Sequence, residues 1–383
     1  MKFVKNKNIN GYIEGYYGKL LTWDNRISII NSLSKNKMKF YFYCPKEDIY
    51  HRLYWKKKYP KVWLNKFNLF CNYARKKNVD VIAGISPGID FDFKSYMSGN
   101  KSEINLILKK LQLLINNKVN YVALLLDDLP NDFHRISNIT NEGLVHAKII
   151  NEVSSKLNVP FFAVPRIYAD ELSVENKYYI NKFFKNLNPE INVFYCGKYV
   201  VSKNFSTKYN IVNQWISKSK LIYWDNFYAN DYCPKKIFLG PWLNKNLIEK
   251  SMINGTGLIN TDLLILEIVK KTSGKKNKFQ IWKKILLNNG IPKKFFKVRY
   301  HFLSPNFTNQ KAIKNIKDSN IIIKDLDFLL WKWKSDLARE WYPYILNLKQ
   351  DLQLLKKELT FNRILKLQTN PFQKFIFMRR KFK

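Results

Sequence analysis

Short apolar or aromatic runs alternate with longer amphipathic segments through most of the chain, and this alternation limits the folds that it can adopt. A strand buried on both faces has an unbroken apolar sequence, whereas a helix repeats its apolar residues at steps of three and four. Eight strand-like runs occur, each followed by a helical segment: Gly11–Tyr17, Lys39–Cys44, Asp80–Ile85, Tyr121–Leu126, Phe161–Pro165, Ile191–Cys196, Leu221–Trp224 and Thr256–Asn260. Eight such units predict an α/β fold of the (β/α)8 TIM barrel type.

A doubly wound sheet also fits the alternation, but that fold rarely needs eight such regular units. The chain has no Gly-x-Gly-x-x-Gly or P-loop sequence that would favour it. Helices are predicted over Tyr209–Ser217 and Leu247–Ile253, before the seventh and eighth strands. The barrel is therefore the preferred prediction.

Strand patterns fade after the eighth unit, and Gly274–Asn277 has the composition of a linker. We expect a catalytic barrel over residues 1–272 and an α-helical C-terminal region over residues 273–383, packed on the barrel as an appendage. Helices in this region are predicted over Asp325–Glu340 and Trp341–Leu359.

The chain is strongly basic, with 67 Lys and Arg against 29 Asp and Glu and a formal net charge of +38. Such a charge can indicate a nucleic-acid binder, whose affinity comes from neutralised phosphates. Here the basic residues are spread along the whole chain, without an RNP, zinc-finger or helix-turn-helix signature. Uniform enrichment in Lys, Asn and Ile is typical of an AT-rich coding sequence. We expect no dedicated nucleic-acid partner, although a salt-sensitive attraction to anionic polymers stays open.

The cysteines and the apolar segments indicate the cellular compartment in which the protein is expected. The four cysteines form no Cys-x-x-Cys pair, which indicates reduced thiols rather than a zinc site or a disulfide framework. The N-terminus has no apolar core of the secretory type, and no stretch reaches the length of a membrane span. We expect a soluble cytoplasmic protein without a metal or cofactor.

Two adjacent carboxylates, Asp127 and Asp128, follow the fourth apolar run directly. In parallel α/β proteins, chemistry is carried out at the C-terminal ends of the strands. Two carboxylates held side by side repel, so one of them keeps its proton near neutral pH, as a general acid beside an anion would. The alternative is a pair that only caps the next helix, and this stretch alone does not separate the two.

Polar and aromatic residues also follow the other strands. Aromatic rings can lie against the apolar face of a pyranose, and short polar groups can hold its hydroxyls. No His or Cys cluster has the spacing of a metal site, and no Ser–His pair suggests acyl transfer. The strand ends thus predict a sugar pocket, formed from Glu14, Gly15, Tyr17, Lys46, Asp48, Asp90, Asp92, Tyr168, Cys196, Trp224, Asn226, Asp231 and Asn260.

Several motifs, in order along residues 11–260, resemble those of glycoside hydrolase family 84. This family comprises β-N-acetylglucosaminidases, including the protein O-GlcNAcases. The motifs are Gly11–Gly18, Cys44–Asp48 with His51–Arg52, Ile85–Asp90, Leu126–Asp128, His146–Ala147, Trp224–Tyr232 and Phe238–Pro241.

The resemblance implies a retaining reaction in which the substrate's own 2-acetamido oxygen attacks the anomeric carbon. An oxazoline intermediate forms without an enzyme nucleophile, the substrate-assisted exception among glycosidases. By motif, Asp127 would hold the acetamido N–H, and Asp128 would act as general acid and then as base. Gly15, Lys46, Asn226, Asp231 and Asn260 would hold sugar hydroxyls, with Tyr168 and Trp224 at the acetamido pocket.

The implied partner is a glycan or glycoprotein that carries N-acetylglucosamine; a modified protein, a cell-wall fragment and a free glycan all fit. Two motifs depart from the family: Pro165–Tyr168 replaces Pro-Thr-Glu-Tyr, and Tyr195–Lys198 replaces Trp-Thr-Gly-Pro. We expect Arg166 and Lys198 to add charge near the acetamido pocket. This leaves two alternatives to the enzyme: a catalytically weak sugar-binding or glycoprotein-binding module on the same fold, or an anionic-polymer binder.

Overall fold

A computed structural model of the 383-residue chain describes residues 8–129, 141–174, 176, 178–202, 220–242, 250–303, 319–356 and 358. The helix predicted over Tyr209–Ser217 lies outside these residues.

Eight parallel strands of the described residues form a closed barrel in sequence order, which confirms the predicted (β/α)8 architecture. The first strand pairs with the last, from Ile9 opposite Lys250 to Ile13 opposite Asn254. The strands are β1 (Ile9–Glu14), β2 (Phe40–Tyr43), β3 (Asp80–Ile85), β4 (Tyr121–Leu125), β5 (Phe161–Val164), β6 (Asn192–Tyr195), β7 (Leu221–Asp225) and β8 (Lys250–Asn254).

Successive apolar residues of β2, β4, β5, β6 and β7 belong to two different hydrophobic clusters, because strand side chains alternate between the two faces. Phe42 belongs to the cluster that fills the barrel, whereas Tyr41 belongs to the cluster shared with the surrounding helices. The ring of Phe42 stacks on that of Phe194, with centroids 5.0 Å apart. Both faces are therefore apolar, which explains the unbroken runs in the sequence.

The helices surround the barrel or lie in the C-terminal region. Thr22 caps the first of them, since its side chain accepts a hydrogen bond from the Asn25 N–H at 3.2 Å. The described helices are α1 (Trp23–Lys35), α2 (Lys61–Lys76), α3 (Phe93–Met97), α4 (Ser102–Asn116), α5 (Glu142–Ser155), α6 (Tyr179–Asn186), α7 (Ile259–Thr272), α8 (Lys278–Asn288), α9 (Phe295–Val298), α10 (Ser319–Trp331) and α11 (Asp336–Leu355).

The prediction for the eighth strand was wrong. Residues 250–253, assigned to the helix Leu247–Ile253, belong to β8. The predicted strand Thr256–Asn260 instead forms a turn and the first two residues of α7. The turn is held by Asp262, which accepts hydrogen bonds from the Thr256 N–H at 2.8 Å and the Thr256 hydroxyl at 2.7 Å. The sequence misled because a turn rich in glycine fits either end of a strand.

The predicted helix Asp325–Glu340 is also interrupted. Helix α10 ends at Trp331, and Ser335 begins α11 by accepting a hydrogen bond from the Ala338 N–H at 3.0 Å. The apolar periodicity continues across the break, so spacing alone did not reveal it.

The described residues of Met1–Tyr232 and Pro241–Ile285 form one compact unit, and those of Cys233–Gly240 and Leu286–Lys383 form another. The division at residues 272 and 273 remains a prediction. Within the described residues, no helix has both the length and the hydropathy needed to cross a bilayer.

Candidate active site

Asp127 and Asp128 lie just beyond the C-terminal end of β4, as predicted. Asp128 has a positive φ of 55°, a left-handed conformation that Asp adopts more readily than most residues. With this change of backbone direction, both adjacent carboxylates reach one ammonium group. Lys46 Nζ lies 2.6 Å from Asp127 Oδ2 and 3.3 Å from Asp128 Oδ2.

Lys46 follows β2 and is buried. Burial alone would lower the pKa of Lys46, but Asp127 and Asp128 outweigh it and raise the pKa above its usual value. The ammonium therefore stays charged and partly neutralises the pair. Repulsion between two adjacent carboxylates would otherwise oppose the ionisation of both near neutral pH.

Asp128 accepts several hydrogen bonds from neighbouring side chains that form none with Asp127. The Tyr17 hydroxyl donates to Oδ2 at 2.9 Å, and the Tyr168 hydroxyl donates to Oδ1 at 3.0 Å. Arg52 donates from NH2 to the Asp128 main-chain carbonyl at 2.7 Å and from NH1 to the Tyr17 hydroxyl. Both oxygens of the Asp128 carboxylate are thus hydrogen-bonded.

These contacts move the two pKa values in opposite directions. Burial raises the pKa of Asp127 above its usual value, despite the opposing effect of Lys46. Burial also acts to raise the pKa of Asp128, but Lys46 and the Tyr17 and Tyr168 hydroxyls outweigh it, and the pKa is lowered. In the unliganded site, a single shared proton therefore favours Asp127.

Two buried oxygen atoms in this region have no hydrogen-bond partner among the described residues. They are Oδ1 of Asp127 and Oδ1 of Asn254. A buried acceptor without a donor is costly, so each of these oxygens is able to accept one further hydrogen bond.

Asn254 is a site residue that the sequence did not reveal. It ends β8 and donates from Nδ2 to Asn226 Oδ1 at 2.9 Å. Trp224 Nε1 donates to the same oxygen at 3.0 Å, and Asn226 Nδ2 donates to the Val200 carbonyl at 3.0 Å. In this arrangement Asn226 orients Trp224 and Asn254, and its own contact with a sugar remains a prediction.

The predicted residue Asn260 lies in the first turn of α7 and does not line the cavity. It had been selected as the end of a strand that the structure places six residues earlier. Correct placement of β8 would have pointed to Asn254, because functional groups follow the strand ends.

Apart from Asn260, the residues that the family motifs assign to catalysis or to the sugar line one cavity of about 340 Å³ at this end of the barrel. Its wall combines the two carboxylates with aromatic and aliphatic groups. The lining residues are Gly15, Tyr17, Lys46, Asp127, Asp128, Val164, Tyr168, Phe194, Cys196, Val200, Val201, Trp224, Asn226, Asp231, Tyr232 and Asn254.

Gly15 and Asp231 have defined positions in this wall. A Cβ atom on Gly15 would lie 2.5 Å from Cζ2 of Trp224, so a side chain there would displace the indole ring. Asp231 accepts hydrogen bonds from the main-chain N–H groups of Tyr17 and Tyr232, each at 3.0 Å. Asp231 thereby joins the loop after β1 to the loop after β7 at the mouth of the cavity.

The expectation that Arg166 charges the pocket was wrong. Arg166 is buried, does not line the cavity, and pairs with Glu142, with NH2 3.0 Å from Oε2. Lys198 is exposed and also lies outside the lining. The binding-module alternative had rested on these two charges and has no support from the pocket.

The other carboxylates predicted at the strand ends lie outside the cavity lining. Glu14 pairs with the buried Arg26, with NH2 2.8 Å from Oε1. Asp48 accepts hydrogen bonds from two buried tyrosine hydroxyls, Asp90 is exposed, and Asp92 caps α3. Among the described residues, no three His, Cys, Asp or Glu side chains form a group that could hold a metal ion.

Comparison with known proteins gives consistent matches. A family model described as beta-N-acetylglucosaminidase matches residues 10–256. The proteins named Protein O-GlcNAcase of Rattus norvegicus and of Mus musculus are each 29% identical over 243 residues, 62% of this chain. This chain spans about a quarter (26%) of the length of these curated relatives.

Among solved structures, a mutant O-GlcNAc hydrolase of Thermobaculum terrenum matches with a TM-score of 0.73 and 18% identity. The match covers 96% of this chain and 86% of that chain. At this identity the likeness shows a shared fold.

Proposed function

Because this chain belongs to the β-N-acetylglucosaminidase family of glycoside hydrolases, we propose that it hydrolyses terminal β-linked N-acetylglucosamine by substrate-assisted catalysis. The observation that carries the proposal is the Asp127–Asp128 pair, bridged by Lys46 in a cavity large enough for one sugar ring. The substrate's acetamido oxygen attacks the anomeric carbon, and an oxazoline intermediate forms with retention of configuration.

Asp127 is assigned to the acetamido group. Its Oδ1 is buried without a hydrogen-bond donor among the described residues, while its Oδ2 is held by Lys46. The amide N–H of the substrate supplies the missing donor. Because a hydrogen bond to the ionised form lowers a carboxyl pKa, substrate binding favours the Asp127 anion. That anion then balances the positive charge that develops on the forming oxazolinium ring.

Asp128 is assigned to proton transfer. In the unliganded site the shared proton favours Asp127, so substrate binding to Asp127 moves the proton balance toward Asp128. Asp128 then donates this proton to the leaving oxygen and afterwards accepts one from the attacking water. The substrate itself thus prepares the general acid.

The rest of the cavity suits the sugar. Val164, Phe194, Cys196 and Trp224 line the cavity and would provide an apolar wall for the acetamido methyl group. Tyr168, which also lines it, is assigned to the acetamido oxygen. The side-chain oxygen of Asn254 accepts from a sugar hydroxyl, with Gly15, Lys46 and Asp231 around the ring. The substrate class is accordingly a glycan or glycoprotein bearing N-acetylglucosamine.

Replacement of each carboxylate by its amide tests these roles. Asn tolerates the left-handed conformation of Asp128, so Asp128→Asn removes the proton donor without adding backbone strain. We expect kcat/KM, which reports the step in which the leaving group departs, to fall by about 10²- to 10⁴-fold for a phenyl-type aryl β-N-acetylglucosaminide. For a substrate with a dinitrophenyl leaving group, which departs without protonation, kcat/KM should fall far less. Steady-state kinetics with both substrates measure the difference.

Asp127→Asn should instead slow both substrates, because formation of the ring intermediate accompanies departure of either leaving group. Thermal melting of each variant controls for folding. Unchanged rates for both variants would refute the proposed function.

A further inference from the structure

Arg52 reaches Asp128 by two separate routes. Its NH2 donates directly to the Asp128 main-chain carbonyl at 2.7 Å. Its NH1 donates to the Tyr17 hydroxyl, which in turn donates to Asp128 Oδ2 at 2.9 Å. A single guanidinium group thus contacts the backbone of this residue and, through one intermediary, its carboxylate.

We propose that Arg52 is a positioning residue that holds Asp128 in its left-handed backbone conformation and aims its carboxylate for proton transfer. The inference rests on the proposed role of Asp128 as general acid and base. Arg52 itself does not line the sugar cavity. Its effect on the reaction is therefore exerted through Asp128 and Tyr17.

The main-chain contact matters because of the backbone at Asp128. A φ of 55° lies in a sparsely populated region for residues other than glycine, and it persists only where the surroundings impose it. A charged donor on the carbonyl of this residue fixes the adjoining peptide plane. Without it, a return toward the extended region would swing the carboxylate away from the leaving oxygen.

The Tyr17 contact sets the direction of a hydrogen bond. A phenol has one proton to donate. Because the Tyr17 oxygen accepts from Arg52, its own proton is directed to Asp128 Oδ2. The other groups that face the Asp128 carboxylate are Lys46, Tyr168 and Asp127. Arg52 thereby determines one of the two hydrogen bonds that the Tyr hydroxyls donate to this carboxylate.

Arg52 is itself held in place by its neighbour. The ring of His51 is buried and its Nδ1 lies 2.8 Å from the Gly84 carbonyl. The His51 carbonyl accepts from the Ser86 N–H at 2.9 Å. These bonds tie the segment to the end of β3, so that the guanidinium group starts from a fixed backbone.

Arg52→Gln is the first test, since glutamine stays polar but is uncharged, shorter than arginine, and unable to serve both acceptors. We expect kcat/KM to fall by about 10²-fold for the phenyl-type substrate and by less than about threefold for the dinitrophenyl substrate, the pattern of lost acid catalysis. Arg52→Lys keeps the positive charge but lacks the two separate donor nitrogens of the guanidinium group. We therefore expect its loss of activity on the phenyl-type substrate to be intermediate.

Arg75 provides a matched control. Its NH2 donates to the main-chain carbonyl of Lys118 at 3.1 Å, and Lys118 also has a left-handed φ of 74°. Arg75→Gln therefore removes the same kind of bond away from the cavity. We expect both substrates to retain wild-type rates in this variant.

Tyr17→Phe removes only the route through the hydroxyl. Because that hydroxyl lowers the pKa of Asp128, its loss should move the basic limb of the kcat/KM pH profile to higher pH. The double variant Arg52→Gln/Tyr17→Phe should be only slightly less active than Arg52→Gln alone, since both changes act through Asp128.

The outcomes separate the two proposals. If Asp128→Asn shows the dependence on leaving group and Arg52→Gln does not, only the role of Arg52 is refuted. The role of Arg52 would also be refuted if Arg52→Gln lowered the rates of both substrates equally and in proportion to a lower melting temperature. That result would show that Arg52 serves only to stabilise the fold. If Arg52→Gln does not fold, the pH profile of Tyr17→Phe decides, and an unshifted basic limb overturns the inference. Failure of Asp128→Asn to slow either substrate would instead refute the proposed function.

Discussion

The two adjacent carboxylates at the end of β4 share one ammonium group but differ in their other contacts. Asp128 accepts from Tyr17 and Tyr168, whereas one oxygen of Asp127 is buried without a partner among the described residues. Because both residues are aspartates, the different roles proposed for them come from these different contacts. In the proposed reaction, a substrate amide would complete the hydrogen bonding of Asp127 and thereby alter the proton balance of the pair.

The amides Asn254 and Asn260 give a matched pair of variants. Asn254→Ala should lower kcat/KM by about 10- to 100-fold, because the hydrogen bond proposed between Asn254 and the sugar is lost. Asn260→Ala should leave kcat/KM within about twofold, since Asn260 does not line the cavity. Michaelis–Menten kinetics with an aryl N-acetylglucosaminide compare them, and the reverse ranking would contradict the assignment of Asn254.

Individual site residues could be predicted from the sequence where they come directly after an unambiguous strand. Asp127 and Asp128 were placed correctly because an apolar run leads directly into them. Asn254 was missed because β8 has no such run. The contacts of Arg52 join loops that are distant in sequence, and no local pattern encodes them.

The ends of β5 and α5 are joined by the buried pair of Arg166 and Glu142. Asn176 Nδ2 also donates to Glu142 Oε2, at 3.2 Å. The pair thus links a strand, the helix before it and the segment after it. A departure from the family motif has become a structural contact behind the pocket wall.

Arg166→Met should destabilise the fold by about 3–5 kcal/mol, because it leaves Glu142 buried without its partner. The folded fraction should retain its KM, since Arg166 does not line the cavity. Arg166→Met/Glu142→Leu removes both charges and should recover most of the stability. Urea denaturation measures the free energies of unfolding; a raised KM in Arg166→Met would contradict this account.

Element boundaries in the C-terminal region show the limits of prediction from spacing. The apolar period continues from α10 into α11, although the chain leaves the helix between Trp331 and Ser335. The signal present in the sequence was the capping serine, whose hydroxyl competes for main-chain N–H groups. Periodicity predicted helices here, and capping chemistry determined where one began.

For the molecule as a whole, buried histidines make stability depend on pH. His146 is fully buried, and burial, with a smaller effect of Arg166, lowers its pKa to about 3. In the unfolded chain a histidine titrates near its ordinary pKa of about 6.5. Between these values the unfolded state binds a proton that the folded state does not, so stability falls as the pH falls from about 6.5 toward about 3.

His146→Gln should reduce this dependence by about 1.4 kcal/mol per pH unit in that window, the contribution of one proton. The comparison is the slope of unfolding free energy against pH for the variant and the wild type, from denaturant titrations at several pH values. Parallel slopes would show that His146 is protonated in the folded protein as well.

The barrel is closed by pairing between β1 and β8, from opposite ends of its sequence. Gly15 follows β1 and Asn254 ends β8, so one side of the sugar cavity joins residues that lie far apart in the sequence. Contacts of such long sequence separation form slowly, because the intervening chain must first be ordered. The binding site therefore exists only after the ring of strands has closed. A sugar analogue that occupies the cavity would recognise finished molecules and bind none of their folding intermediates.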